Sequence, residues 1–541
     1  MIFKSFVESC ANPKITNQPV HKYIFDTLVK YGKDRPNQPI FVDGLSGEEV
    51  TVTQLYNRTC SIADFFVKNG FQKGDLVLTA VENGWPYVCT MLACSSLGGG
   101  VAGSHPKNSF YELVHQIRLT KAKVILAQDY VLEKLADHLH ECPLVQTVIN
   151  VGSNNNLTSL NGKSIKVITV EEIVSNRVAS LPSIEFDPKT TVYFVPPSSG
   201  TTGLPKAVQL SHSAHLTALN CHMAGFRRLG SINWRDHYFL LNMQCGFAYG
   251  QMQTLLCMAA GTIGVFLRHT DDKGYCEAVD KYKVSFLHTN PTLVQSLINY
   301  RRANPKSLGS AKVVLVSGAP LKEKRKTEFT ELFPHTILQQ AYEMTEGLVT
   351  VGDSNAPVDS VGSLAPDTEL KILDPETTAE LGYNQVGELF VRNQTLTLGY
   401  IDNPKANAEL FNDDGFLATG DIGYITEKGH IFLVDRRKEM IKVQGKSVAP
   451  GQLEDLLLAN SKVKDCAVVG VPDDELDERI YGFVVKGNEE LTEQECISNV
   501  NDNIIYYKHI TGRVFFVDEI PRNLNGKVLR RQLREYVQNH S

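Results

Sequence analysis

The 541-residue sequence has no surplus of positive charge: 54 Lys and Arg stand against 60 Asp and Glu, for a net charge of -6. It therefore lacks the electrostatic footprint that dominates nucleic-acid binding, and no nucleic-acid partner is expected. Its 11 cysteines include no Cys-x-x-Cys pair and no cluster with histidine at zinc spacing. Neither a disulfide framework nor a thiolate metal centre is indicated, and free thiols in a reducing compartment are expected. The opening MIFKSFVESCANPK has no apolar signal core, and the closing Gln-Asn-His-Ser is not a Ser-Lys-Leu address, so a cytoplasmic location is expected. Long apolar runs are scarce too. Asn83 to Ser104 carries no formal charge, yet it is broken by Pro86, Gly98, Gly99 and Gly100. A buried helix leading into a buried strand is expected there, with no transmembrane segment.

What is present is the composition of a globular protein, 42% hydrophobic and 21% charged, in a chain long enough for at least two domains. Short β-branched runs at 75–81, 123–128, 147–150 and 311–318 alternate with amphipathic segments, which argues for α/β layers with mostly parallel sheets. After about residue 385 the texture changes to short strands joined by Gly, Asp and Asn turns. The charge cluster Asp435-Arg436-Arg437-Lys438-Glu439 then marks a hinge, since boundaries fall in exposed polar linkers. The expected fold class is α/β. Residues 1–434 form a large domain of layered α/β subdomains plus a β-rich subdomain, and 435–541 form a small mobile α+β domain with a helix at 450–459, a strand at 465–470 and a helix at 492–503. Nothing in the sequence sets an oligomeric state.

The most informative stretch is Ser198-Ser199-Gly200-Thr201-Thr202-Gly203-Leu204-Pro205-Lys206, which follows a strand-like run at 191–195. Two glycines free the backbone to wrap an anion, four hydroxyls offer donors, and the lysine adds compact positive charge. It is not the P-loop of mononucleotide-binding NTPases: Pro205 stands where that motif needs its second glycine, and Ala207 follows the lysine. Gly98 to Gly103 also satisfies Gly-x-Gly-x-x-Gly, but an apparent helix precedes it and a turn follows, so a dinucleotide site is not assigned.

The nine-residue loop resembles the signature of the adenylate-forming superfamily, which includes acyl-CoA synthetases, 4-coumarate:CoA ligases, beetle luciferases and nonribosomal adenylation domains. Further motifs follow in the superfamily's order over nearly the whole chain. Ser317-Gly318-Ala319-Pro320 looks like the turn that contacts adenine. Ala341 and Tyr342-Glu343-Met344-Thr345-Glu346 are similar to a motif in which the tyrosine stacks on adenine, the threonine meets the α-phosphate and the glutamate holds magnesium. Thr419-Gly420-Asp421 resembles the motif whose aspartate binds the ribose hydroxyls, and Arg436 matches a hinge arginine near ribose or phosphate. Lys527, in Pro521-Arg522-Asn523-Leu524-Asn525-Gly526-Lys527, is like the lysine that bridges the acid's carboxylate and the α-phosphate. Lys442, in Ile441-Lys442-Val443-Gln444-Gly445, matches the lysine used in a second domain orientation.

The resemblance implies an ATP-dependent acid:CoA ligase that uses ATP, Mg²⁺ and CoA and works through an acyl-adenylate. Its small-molecule carboxylic acid partner would be fatty or aromatic, because the expected acyl lining is mostly neutral or apolar: Cys245, Gly246, Phe247 and the rest of 244–250, His288 to Pro291, and Gly347 to Thr350 with Val349. Departures from the pattern are Ala207 after the lysine, Ala341 and Glu343 where glycine is common, and Cys245 where a histidine is common. Loading of a carrier-protein thiol and a silent nucleotide- or acyl-binding sensor are the alternatives. Light emission is disfavoured by Ala218 and Cys245 at positions where luciferases use arginine and histidine.

Overall fold

The computed structural model describes residues 1–10, 12–33, 35, 37–152, 165–198, 205–228, 234–268, 271–319, 321, 323–357, 359–443, 446–523 and 526–540. Within these, two large sheets form the first layers. One runs in the order Pro197–Ser198, Lys206–Ser211, Val192–Val195, Gly100–Gly103, Leu76–Ala80, Val124–Ala127, Thr147–Asn150 and Lys166–Thr169. From Val192–Val195 outward through Gly100–Gly103 its ladders are parallel, and the hairpin that flanks the phosphate-loop sequence is antiparallel.

The strands of the expected runs are buried, with Val77, Leu78, Ile125 and Val148 fully enclosed, as befits a parallel sheet covered on both faces. The uncharged stretch is the helix Trp85–Ser96 followed by the strand Gly100–Gly103. Among the described residues no helix is long and apolar enough to cross a membrane. The glycines there serve packing: a Cβ on Gly103 would lie 1.6 Å from the Gly246 carbonyl oxygen, so two backbones cross where no side chain fits.

The second sheet orders Ile337–Gln340, Val313–Val316, Val284–Thr289, Tyr238–Leu241, Ile263–Phe266, Pro39–Asp43 and Glu49–Thr51, parallel except at the last pair. Its parallel strands therefore end on one side; His288 is the penultimate residue of strand Val284–Thr289, and the segments that leave the neighbouring strand ends carry Cys245, Ser317 and Tyr342. Ligands of open α/β sheets bind in the crevice outside such carboxyl ends. The helix Pro291–Ala303 begins there sharply: Pro291 occupies the first turn and the Asn290 side chain accepts from the Leu293 amide at 3.0 Å.

An antiparallel sheet of Phe3–Lys4, Glu369–Leu373, Gly387–Arg392, Leu417–Ile425 and Ile431–Arg436 forms the β-rich part. The charge cluster expected to be an exposed linker begins inside this sheet, since Asp435 and Arg436 close its last strand. Asp435 is also tied forward, accepting from the Gly451 amide at 3.0 Å. Beyond it stands a smaller sheet with the helices Pro450–Ala459, Glu493–Asn501 and Arg530–His540, packed on its own apolar clusters around Val468 and Phe483. It docks on the carboxyl-end side of the second sheet. Lys324 donates to the Leu458 carbonyl at 3.2 Å, and a Cβ on Gly526 would meet Thr292 Oγ1 at 3.3 Å.

Candidate active site

The two ends of the phosphate-loop sequence are held side by side, with Ser198 opposite Lys206 in the antiparallel ladder. Ser199, Gly200, Thr201, Thr202, Gly203 and Leu204 lie outside the described residues, as do Pro320, Gln444, Gly445, Leu524 and Asn525. Ser198 donates its hydroxyl to Glu346 Oε1 at 3.0 Å, and Tyr400 donates to the same oxygen at 2.9 Å. The Lys206 ammonium sits 4.5 Å from the centre of the Tyr400 ring. Tyr400 thus joins the lysine of the loop to the carboxylate expected to hold magnesium. No sequence signal marked it.

Thr345 and Glu346 form the turn of a short hairpin between Glu343–Met344 and Gly347–Leu348, with Glu346 buried. A magnesium ion prefers carboxylate and phosphate oxygens and keeps several waters. One buried carboxylate beside the ends of a phosphate loop fits such an ion. Among the described residues no three His, Cys, Asp or Glu converge to form a cage.

Tyr342 leaves the end of strand Ile337–Gln340 with Ala341 and is pinned by its amide, which donates to Thr350 Oγ1 at 2.7 Å. Its phenol donates to Asp421 Oδ2, and Arg436 Nε approaches Asp421 Oδ1 at 3.0 Å. Asp421 and Arg436 face each other in neighbouring strands. Thr419-Gly420-Asp421, which as an isolated sequence reads as a turn, lies within strand Leu417–Ile425, with Gly420 at φ +70° giving the local kink. Burial raises the Asp421 carboxyl and the Arg436 guanidinium opposes that rise; each carboxylate oxygen keeps capacity for a further donor. The Ser317 turn follows strand Val313–Val316, where Gly318 at φ +86° has open space over its Cα and Ala319 is half-buried.

Lys527 of the small region reaches this group. Its ammonium lies 3.5 Å from Glu439 Oε1, and burial followed by the nearby Arg436 lowers its pKa, with Glu439 and Asp421 opposing. Glu439 also pairs with Arg530, which holds Glu454 at 2.6 Å through its other nitrogen. Burial disfavours the charged Glu439 carboxylate, but Arg530, Lys527 and Arg436 hold it below the usual range. Glu439 closes the charge cluster read in the sequence, yet its role as the anchor of Lys527 needed the fold. Lys442 is elsewhere: it is half-exposed on strand Ile441–Val443 and pairs with Glu376 at 2.9 Å.

The surroundings of the residues expected to line the acyl pocket depart from the neutral lining read in the sequence. Glu343 turns its carboxylate toward His222 Nε2, 3.6 Å away on the helix His212–Arg228. The His222 ring is 6.4 Å from that of His288, which Tyr249 meets edge-on at 4.0 Å while donating to the Thr289 carbonyl at 2.9 Å. His288 is fully buried, and among the described residues neither ring nitrogen has a hydrogen-bond partner. Burial pushes Glu343 up to about 8 and His222 down to about 4, so this pair is neutral at pH 7. Two ionisable residues, His222 and Glu343, were thus absent from the expected lining. His222 gave no local sign, because a histidine inside a buried helix is ordinarily core.

Cys245 is 1% exposed, its thiol 3.5 Å from Thr254 Oγ1, and burial pushes it up to about 12. It is an inert core thiol and supplies no base where the histidine is common. Gly246 meets Gly103, Phe247 precedes helix Ala248–Ala260, and Val349 is fully buried behind Tyr342, whose carbonyl its amide reaches at 3.2 Å.

Comparison with known proteins gives the chain's relatives. The model of the AMP-binding enzyme family matches residues 29–401, and that of the AMP-binding enzyme C-terminal domain matches 452–527. The chain is 30% identical to 4-coumarate-CoA ligase 1 of Narcissus pseudonarcissus over 95% of its own length and 93% of that protein's. It is also 30% identical to 4-coumarate--CoA ligase of Vanilla planifolia, over 99% and 96%. Among solved structures, ATP-bound MatB from Rhodopseudomonas palustris superposes with a TM-score of 0.84 at 22% identity, covering 97% of this chain and 100% of that one. The anthranilate CoA ligase AuaEII in complex with anthranoyl-AMP superposes with a TM-score of 0.85 at 19% identity, covering 97% and 98%. At those identities the superpositions speak for the fold.

Proposed function

The chain belongs to the AMP-binding enzyme family, and from that premise we propose that it is an ATP-dependent acid:CoA ligase, joining a carboxylic acid to CoA through an acyl-adenylate with release of pyrophosphate and AMP. The observation that carries this reading is the lodging of Lys527, from the small region, beside Arg436 and Asp421 of the β-rich sheet and next to Tyr342. A cation brought there answers the main difficulty of the first half-reaction, in which an acid carboxylate must approach the α-phosphate although both are anionic.

Lys527 and Lys206 lower that repulsion by fixed charge, while Asp421 receives the ribose hydroxyls and Tyr342 offers its ring to adenine. Thr345 offers a hydroxyl donor to the α-phosphate from the hairpin turn beside Glu346. Magnesium, held by Glu346 with phosphate oxygens and water, would neutralise part of the triphosphate charge. No covalent nucleophile is needed from the protein. For the second half-reaction the small domain, 435–541, turns about Asp435–Lys438, withdrawing Lys527 and releasing Lys442 from Glu376 so that it enters the cleft.

An aromatic acid with a polar ring substituent is the favoured substrate class. Two observations support it: the relatives above are named 4-coumarate–CoA ligases, and Tyr249, His288, His222 and Glu343 combine ring faces with unanswered polar atoms. The test is pyrophosphate release over a panel of aromatic and fatty acids, with and without CoA, beside Lys527→Ala. Acid-dependent release that CoA accelerates and Lys527→Ala cuts by orders of magnitude is the expected result. Release indifferent to CoA would transfer the acyl group to another thiol, and release with fatty acids alone would overturn the aromatic assignment.

A further inference from the structure

The eleven thiols divide unevenly. Most are buried singly in the core, but Cys10 Sγ lies 3.3 Å from Cys221 Sγ, although 211 positions separate them in the chain. We propose that Cys10 and Cys221 form a redox modification site that closes to a disulfide by exchange with a small-molecule disulfide of the glutathione class. A disulfide needs its sulfurs about 2.05 Å apart, so the pair requires only about an ångström of approach.

The segment carrying Cys10 is held from both sides. Phe3 and Lys4 pair with Leu370 and Glu369, Ser5 Oγ donates to the Leu364 carbonyl at 2.7 Å, and Asn220, the neighbour of Cys221, donates to the Cys10 carbonyl. Cys10 and Cys221 share an apolar cluster with Leu348, Val351 and Ala365, directly behind the hairpin that bears Thr345 and Glu346. The two sulfurs thus face each other in a fixed setting.

The roles divide by exposure. Cys10 is half-buried and reachable, whereas Cys221 is 1% exposed. The Cys221 thiol hydrogen-bonds to Cys10 and favours its thiolate, lowering the Cys10 pKa, while Cys221 is raised. In the first step the Cys10 thiolate attacks one sulfur of the small disulfide, breaking its S–S bond and expelling one small thiolate. In the second, the Cys221 sulfur, giving up its proton, attacks Cys10 Sγ and expels the second small thiolate. Two protein thiols lose two electrons, the small disulfide gains them, and the two thiol protons end on the two small thiols. The bond ties the N-terminal strand to the helix residue next to His222.

The test incubates the folded full-length protein with oxidised glutathione and maps its peptides without reduction. The expected result is a Cys10–Cys221 linked pair, with the free-thiol count falling by two from eleven and restored by dithiothreitol. Cys221→Ala should instead hold a glutathione adduct at Cys10, and Cys10→Ser should show neither linkage nor adduct there. An unchanged thiol count, a persistent Cys10 adduct in the wild type, or linkage through other cysteines would overturn the proposal. Because thiol mapping needs no substrate, its failure is separate from failure of the ligase reading.

Discussion

On the nucleotide side of the cleft the buried charges are answered within the protein: Asp421 by Tyr342 and Arg436, Glu346 by Ser198 and Tyr400, Glu439 by Lys527 and Arg530. On the proposed acyl side, beginning one residue after Tyr342, Glu343 faces His222 at 3.6 Å, and among the described residues neither ring nitrogen of His288 has a partner. A paired carboxylate is already oriented when its substrate arrives, which is the use of preorganisation. An unpaired buried imidazole costs folding free energy until something binds it, so it discriminates among the molecules that enter. Under the ligase reading proposed above, the first set of groups is preorganised for ATP, and the second would discriminate among acids that enter.

That contrast breaks most readily at Lys527. Lys527→Ala should lower acid-dependent pyrophosphate release by roughly 10²–10³-fold, the scale of losing one well-placed electrostatic group, while transfer to CoA from supplied acyl-adenylate stays within a few-fold. Equal loss in both half-reactions would sink the division of labour between the two lysines. Next in size is Asp421→Ala, which strands the Tyr342 hydroxyl and the Arg436 guanidinium; ATP affinity measured by calorimetry should fall about 10–100-fold.

His288→Leu sharpens the other half. Replacing an unsatisfied imidazole by an apolar side chain should leave the melting temperature unchanged or higher, and should reduce the preference for hydroxylated over unsubstituted aromatic acids by about tenfold in kcat/KM. A variant that melts early with its preference intact would make His288 a packing residue.

Glu343 yields a prediction about pH. Folding raises its pKa to about 8, above the ordinary carboxyl value near 4.3, so between those values the folded chain binds a proton that the unfolded chain has released. Its contribution to stability is present at low pH and is lost as pH rises through that window, becoming flat above about 8. Thermal melts at pH 5 and pH 8 should show the wild type losing ground to Glu343→Gln on the alkaline side. His222, lowered to about 4, acts oppositely, its contribution falling below about 6.5. The smallest effect belongs to Lys442→Ala. Here only a half-exposed ion pair with Glu376 is lost, and such pairs contribute about 0–1 kcal/mol. Adenylation should hold within twofold while CoA transfer slows.

Much of the architecture was readable along the chain. The runs at 75–81, 123–128 and 147–150 became the parallel strands Leu76–Ala80, Val124–Ala127 and Thr147–Asn150, and 450–459 became a helix. The residues proposed for the nucleotide could be named from the sequence because each sits in a short motif whose members are chain neighbours. Asp435 and Arg436 were read as linker and proved to close a strand, because a charge run carries no record of the ladder partner that Asp421 and Ile422 provide.

The sequence by itself determined the α/β class and the order of the motifs, and it named the residues proposed for phosphate, ribose and carboxylate, since periodicity and motif spacing depend on neighbours along the chain. Only the tertiary structure decided that Tyr400 joins Lys206 to Glu346, that His222 lies beside both Glu343 and His288, and that Cys10 meets Cys221. Those meetings join segments tens to hundreds of residues apart. Distances of that kind are set by how helices and sheets pack, which no local pattern encodes.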